Sequence, residues 1–225
     1  MVGDCDGGRT SILLVDDFRV VADGLRALLE DESDLWVIGV AAGEAEALHI
    51  ADQHPPDVAL IDYRLPGGTG AEVAAAIRHR HPGTAILFLS RDDSDVAQLA
   101  ALEAGAAGYL FKWQAAEEVV DAVRRAARGE TLISSRDIAR LLAMRRDTIH
   151  LRESLTGREL DVLRLMTHGV DSRRIAELLG IRYGTVRSHV RNLIAKLGAH
   201  SKLEAVTRGL DLGLVDRAEG RDPLR

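Results

Sequence analysis

The first half of the chain alternates short apolar runs with longer amphipathic stretches. Residues 11–15, 35–41, 57–61, 85–89 and 108–111 are apolar runs of strand length, each followed by a polar or turn-forming segment. Runs of that length, bounded by Gly, Pro and Asp, predict buried strands. Between them, residues 18–29 set Val20, Val21, Leu25, Leu28 and Leu29 at helical spacing. Residues 44–53, 71–80, 93–104 and 116–128 follow as helices, the last two stopped by Gly105 and Gly129. Five alternating strand–helix units imply a doubly wound α/β fold, a five-stranded parallel sheet with helices on both faces.

The pattern then changes. Residues 130–154 hold a possible helix over 137–145, after the capping candidates Ser134 and Ser135, and Arg145-Arg146-Asp147 reads as exposed linker. From Leu155 onward every element is helical. Thr156 and Glu159 form a capping-box pattern, and Val162, Leu163, Leu165 and Met166 make the apolar stripe of a helix that Gly169 ends. Helices follow over 172–179, from Tyr183 or Gly184 to Leu197, and over 201–212, the first two joined around Gly180. Two short helices joined in this way resemble a helix-turn-helix. The domains expected are 10–128, a connector over 129–152, a four-helix domain over 153–215, and a tail over 216–225.

Charge follows the same division. Residues 1–128 carry 11 Lys and Arg against 22 Asp and Glu, whereas residues 155–225 carry 13 against 9. An acidic half before a basic half suggests domains with different partners, the second a polyanion. The 225 residues suffice for two modest domains, and 46% hydrophobic with 28% charged residues is ordinary for a soluble globular protein. No apolar run reaches the roughly 18 residues of a membrane helix. Cys5 is the single cysteine, which excludes an intrachain disulfide and fits a reducing cytoplasm.

Chemistry is concentrated at strand ends. In a doubly wound sheet of order 2-1-3-4-5, the first and third strands are neighbours, and ligands bind beyond their carboxyl ends. Asp16 and Asp17 end the first strand and Asp62 ends the third, with Ser90 and Lys112 ending the fourth and fifth. Three converging carboxylates call for a cation, and hard oxygen ligands suit Mg²⁺. An aspartate beside a divalent metal, a hydroxyl and an ammonium can accept a phosphoryl group.

Together, Val15-Asp16-Asp17, Asp62-Tyr63-Arg64-Leu65-Pro66, Leu89-Ser90 and Gly108-Tyr109-Leu110-Phe111-Lys112 make residues 10–128 resemble a response-regulator receiver domain, with its flavodoxin-like sheet. That resemblance implies that Asp62 is the phosphoacceptor and that Asp16, Asp17, Asp62 and the backbone carbonyl of Arg64 hold Mg²⁺. It also implies that Ser90, Tyr109 and Lys112 form the phosphate-binding and switch set. The chain departs from the pattern at Arg91, where a small residue is usual, and at Phe18, where His is common. Arg91 is either a solvated charge, alone or paired with Asp92 or Asp93, or a cover folded over the phosphoryl group.

Residues 153–215 resemble the LuxR-type DNA-binding domain through Leu155-Thr156-x-Arg158-Glu159, Ile175-Ala176, Leu179, Thr185-Val186-Arg187-Ser188-His189 and Lys196-Leu197-Gly198. The third helix there would be the recognition helix, with Thr185, Arg187, Ser188 and Arg191 toward DNA. His189 matches the pattern in a packing or phosphate-contact role, while Asp171-Ser172-Arg173 departs from the usual Ser-Asn-Lys. The combination is identified as a NarL/FixJ-type two-component response regulator. It implies a cytoplasmic transcription factor that takes phosphate from a histidine kinase and binds a double-stranded DNA operator as a homodimer, without a membrane and without enzyme activity of its own. The alternatives are a Mg²⁺-dependent phosphohydrolase with an aspartyl-phosphate intermediate and a DNA-binding regulator whose receiver is not phosphorylated.

Overall fold

A computed structural model describes residues 8–66 and 68–215. Cys5 and the tail over 216–225 lie outside the described residues. The chain divides into two compact units, one ending at Leu141 and the other beginning at Leu142.

The first unit contains β1 (Thr10–Val15), α1 (Arg19–Glu30), β2 (Leu35–Ala41), α2 (Glu44–Gln53), β3 (Val58–Ile61), a small pair β4 (Arg64–Leu65) and β5 (Gly68–Thr69), α3 (Gly70–Arg80), β6 (Ala85–Ser90), α4 (Asp95–Glu103), β7 (Gly108–Phe111) and α5 (Ala116–Ala127). The main sheet runs β2-β1-β3-β6-β7 with all neighbours parallel, which is the expected order. Successive strand residues point to opposite faces. Leu13, Val15, Ala59, Ile61, Ile86 and Phe88 therefore pack with Ala51, Val73, Ala74 and Ile77 on one side. Ile12, Leu14, Val58, Leu60, Leu87 and Leu89 pack with Leu29, Val119, Val120 and Val123 on the other. Burial on both faces explains why these strands read as continuous apolar runs.

Two expectations need correction. Val20, placed on the apolar stripe of α1, is 86% exposed. The buried residues of α1 are Ala22 and Leu29, seven apart, and Val20 lies off that face. The stretch Arg145-Arg146-Asp147 is exposed but not a loop, since α6 runs unbroken from Ser135 to Ser154. No Gly or Pro interrupts those 20 residues, so nothing local terminates the helix. Ahead of it, the Leu132 amide bonds the Ala107 carbonyl at 2.6 Å, and Leu132 packs on the α5 side of the sheet.

The second unit holds the rest of α6 with α7 (Gly157–Thr167), α8 (Ser172–Leu179), α9 (Tyr183–Lys196) and α10 (Lys202–Asp211). Its core gathers Val162, Leu163, Leu165, Met166, Ile175, Val186, Leu193 and Leu197. Gly180 ends α8 at φ 64°, a left-handed conformation that glycine adopts without strain, and the chain turns there into α9. Among the described residues no helix is long and apolar enough to cross a membrane.

Candidate functional site

Register builds the acidic site. β1 and β3 pair so that Val15 lies beside Ile61, and each strand delivers an aspartate at its next position. The Asp62 amide bonds the Val15 carbonyl at 2.7 Å, and the Lys112 amide bonds the Ser90 carbonyl at 2.9 Å. Asp16, Asp17 and Asp62 each present an oxygen within 4.8 Å of the others. Lys112 bridges two of them, with Nζ 2.5 Å from Asp16 Oδ2 and 2.6 Å from Asp62 Oδ2. Burial pushes the Asp62 carboxyl above its ordinary value; the bonds from Lys112 and the Arg64 amide oppose that rise without cancelling it. Asp17 Oδ1 is buried with no hydrogen-bond partner. Three converging carboxylates, one of them with an orphaned oxygen, are a donor set that fits a hard divalent cation.

Gly70 is required by this packing, although nothing in its surroundings in sequence marks it beyond a glycine-rich turn. A Cβ there would stand 2.1 Å from the Asp62 carbonyl oxygen. Its amide bonds the Tyr63 carbonyl at 2.8 Å, tying the start of α3 to the loop after β3.

Around the acidic site, the loop after β6 is held by Asp92, which the sequence offered only as a partner for Arg91. Asp92 donates its amide to Ser90 Oγ at 3.0 Å and accepts the Tyr109 hydroxyl on its carbonyl at 2.6 Å. Its carboxylate accepts Arg64 Nη2 at 2.6 Å and the Ser94 amide at 3.0 Å. Burial opposes ionisation of Asp92, but the bonds from Ser94 and Arg64 outweigh it and hold the carboxyl below its ordinary value. Burial likewise pushes the Tyr109 phenol upward, so it stays a donor. Ser90 is buried and Tyr109 half-buried. Arg91 is exposed. Asp92, one of the two acids considered for it, is instead taken by Arg64.

In the helical unit, Thr185, Arg187, Ser188, Arg191 and Asn192 are all exposed, while Val186 and Leu193 are fully buried on the opposite face. His189 is half-buried. Ser188 Oγ donates to the Gly184 carbonyl at 3.2 Å, one turn back. Asp171, at the position that departs from the usual pattern, caps α8 by accepting the Arg173 and Arg174 amides. The orientation of α9 depends on Glu159, which is 2% exposed. Its carboxylate accepts the Thr156 amide at 2.8 Å and Lys196 Nζ at 2.7 Å. The same ammonium donates to the Ser154 carbonyl at 2.7 Å.

Comparison with known proteins agrees with this geometry. Residues 12–124 match the response regulator receiver domain, and residues 153–208 match the bacterial regulatory proteins of the luxR family. The chain is 35% identical over 204 residues to the DNA-binding transcriptional activator DevR/DosR of Mycobacterium tuberculosis, an alignment covering 89% of this chain and 94% of that protein. It is 34% identical over 197 residues to the transcriptional regulatory protein LiaR of Bacillus subtilis, covering 86% and 93%. The crystal structure of the response regulator ChrA of a heme-sensing two-component system matches with a TM-score of 0.55 and 29% identity, over 92% of this chain and all of that one. With a receiver-type site in one unit and a LuxR-type helical domain in the other, the chain belongs to the NarL/FixJ-type response regulators, the transcriptional regulators of two-component systems.

Proposed function

We propose that this regulator binds duplex DNA under the control of phosphorylation at Asp62. The observation that carries the reading is the convergence of Asp16, Asp17 and Asp62 with an orphaned Asp17 oxygen at the carboxyl edge of the sheet. Asp16, Asp17, Asp62 and the Arg64 backbone carbonyl would hold Mg²⁺, which when bound offsets the negative charge of the phosphoryl oxygens. A carboxylate oxygen of Asp62 attacks the phosphorus of a phosphohistidine, the P–N bond breaks, and its electron pair leaves with the imidazole of a histidine kinase. Lys112, already 2.6 Å from Asp62 Oδ2, pairs with the added charge, and the Ser90 hydroxyl donates to a phosphoryl oxygen. Tyr109 follows the loop to which its hydroxyl is bonded.

The exposed face of α9 supplies the output. Thr185, Arg187 and Ser188 lie in its N-terminal half, where a recognition helix meets base edges, and Arg191 lies one turn on from Arg187. Two copies on a two-half-site operator are the expected assembly. A phosphohydrolase reading leaves α7 to α10 without a role, and an idle receiver leaves the complete acidic set without one.

Labelling of the full chain with acetyl phosphate in Mg²⁺, read by intact mass, tests the assignment. Wild type gains one phosphoryl group and binds duplexes selected from a random pool more tightly. Asp62→Asn gains none and shows no donor-stimulated binding. Normal labelling of that variant would place the acceptor elsewhere.

A further inference from the structure

Asp92 and Arg140 stand outside the phosphoacceptor set, yet they connect it to α6 without a gap. The Arg64 amide bonds Asp62 Oδ1 at 3.2 Å, and the Arg64 guanidinium bonds Asp92 Oδ2 at 2.6 Å. Asp92 Oδ1 accepts the Ser94 amide, and Ser94 Oγ caps α4 by accepting the Ala97 amide at 3.2 Å. The next residue, Asp95, is paired with Arg140 of α6, whose second nitrogen reaches Gln98 Oε1 at 3.3 Å. All of these residues lie in the first unit.

We propose that Asp92 is an off-state clasp, and that its release is handed to α6 through the Asp95–Arg140 pair. The inference rests on phosphorylation at Asp62 as read above. A phosphoryl group adds about −1.5 to −2 charges and three acceptor oxygens. Two of the groups that hold Asp92 are then drawn elsewhere. The Arg64 guanidinium, two residues from Asp62, gains a dianion in place of a single carboxylate, and its planar fork suits phosphate oxygens. Ser90 is drawn toward the phosphoryl group and takes the Asp92 amide with it. The Ser94 cap shares the Asp92 carboxylate, so the first turn of α4 shifts. Asp95, in that turn, then loses its register with Arg140.

The last link is weak by design of its surroundings. Arg140 and Asp95 are 43% and 45% exposed, and solvent screens such a pair. It therefore biases the position of α6 by about two- to five-fold rather than locking it.

Amide hydrogen exchange over residues 135–141 of the full chain tests the idea, with peptides from β1 and β3 as a folding control. In wild type, acetyl phosphate should raise exchange at the start of α6 about two- to five-fold. Arg140→Gln and, as a second surface variant, Asp95→Asn should show the raised level before donor is added. They should also bind selected duplex more tightly without donor. Exchanging the charges, Asp95→Arg with Arg140→Asp, should return both readouts toward wild type. Exchange in the single variants equal to wild type overturns the proposal, as does donor-labelled wild type with unchanged exchange. Absence of label on Asp62 instead overturns the functional reading, and this inference with it.

Discussion

Lys196→Met separates what packing gives the helical unit from what one ion pair gives it. The ammonium makes two bonds of 2.7 Å, to Glu159 Oε2 at the start of α7 and to the Ser154 carbonyl at the end of α6. Met preserves the stem's length and apolar contacts but removes both bonds. The Glu159 side chain, 3% exposed, is left with its Thr156 contacts alone, whereas Lys196 is 33% exposed. Stripping a partner from a fully buried charge costs about 3–5 kcal/mol. Solvent near Lys196 and the surviving capping bonds lower that to about 2 kcal/mol, in the range of a single charged hydrogen bond.

The pH dependence follows from Glu159. Burial opposes its ionisation, but the bonds from Lys196 and Thr156 win and hold its carboxyl below the ordinary 4.5. A depressed carboxyl contributes stability above its unfolded value and loses it as pH falls through the folded one. The variant's deficit is thus full at neutral pH and shrinks below about 4.5. Urea unfolding resolves the two units because both tryptophans, Trp36 and Trp113, lie in the first. Fluorescence should be unchanged by the substitution, while the far-ultraviolet transition of the helical unit moves to lower urea. A deficit under about 0.5 kcal/mol, or one that persists undiminished in acid, would refute the assignment of a buried pair.

Gly70→Ala should destabilise the first unit by about 1–3 kcal/mol and slow acetyl phosphate labelling, because the added Cβ meets the Asp62 carbonyl at 2.1 Å. Urea curves read by tryptophan fluorescence check the first effect and intact mass the second; a neutral result would mean that α3 moves aside. Arg191→Ala should weaken all duplexes about equally and lower the salt slope by about one unit. Arg187→Ala should instead relax preference at one operator position at about 1–3 kcal/mol, and titration against selected and scrambled duplexes distinguishes the two. If Arg91, exposed beside Ser90, folds over the phosphoryl group, Arg91→Ala should shorten the life of phosphorylated Asp62 several-fold. Superimposable decay of label in the two proteins would return Arg91 to solvent.

The sheet was legible because its strands are buried on both faces, which leaves long apolar runs and few other readings. The acidic site was legible for a related reason: a parallel sheet delivers the residue after each strand to one edge, so strand order alone puts Asp16 and Asp62 together. Helix α6 was not. Its polar composition, with only Leu141 buried, hides it from any search for an apolar stripe. The uninterrupted absence of Gly and Pro from Ser135 to Ser154 was the signal available.

Two acids show why the remaining contacts escaped notice. Glu159 reads as half of a capping box with Thr156, and Asp92 reads as one of two acids open to Arg91. The first reading is correct locally, since the Glu159 carboxylate accepts the Thr156 amide; Asp92 instead accepts the Ser94 amide and the Arg64 guanidinium. Each also holds a cation brought from a distant part of the chain, Lys196 in one case and Arg64 in the other. The pairs are separated by 37 and 28 residues, so no periodicity of 2 or 3.6 connects them. A nearly buried acid whose local bonds leave its charge uncompensated needs such a partner. The prediction open to the sequence alone was therefore conditional: if folding buried Glu159 or Asp92, a basic side chain from another element had to meet it.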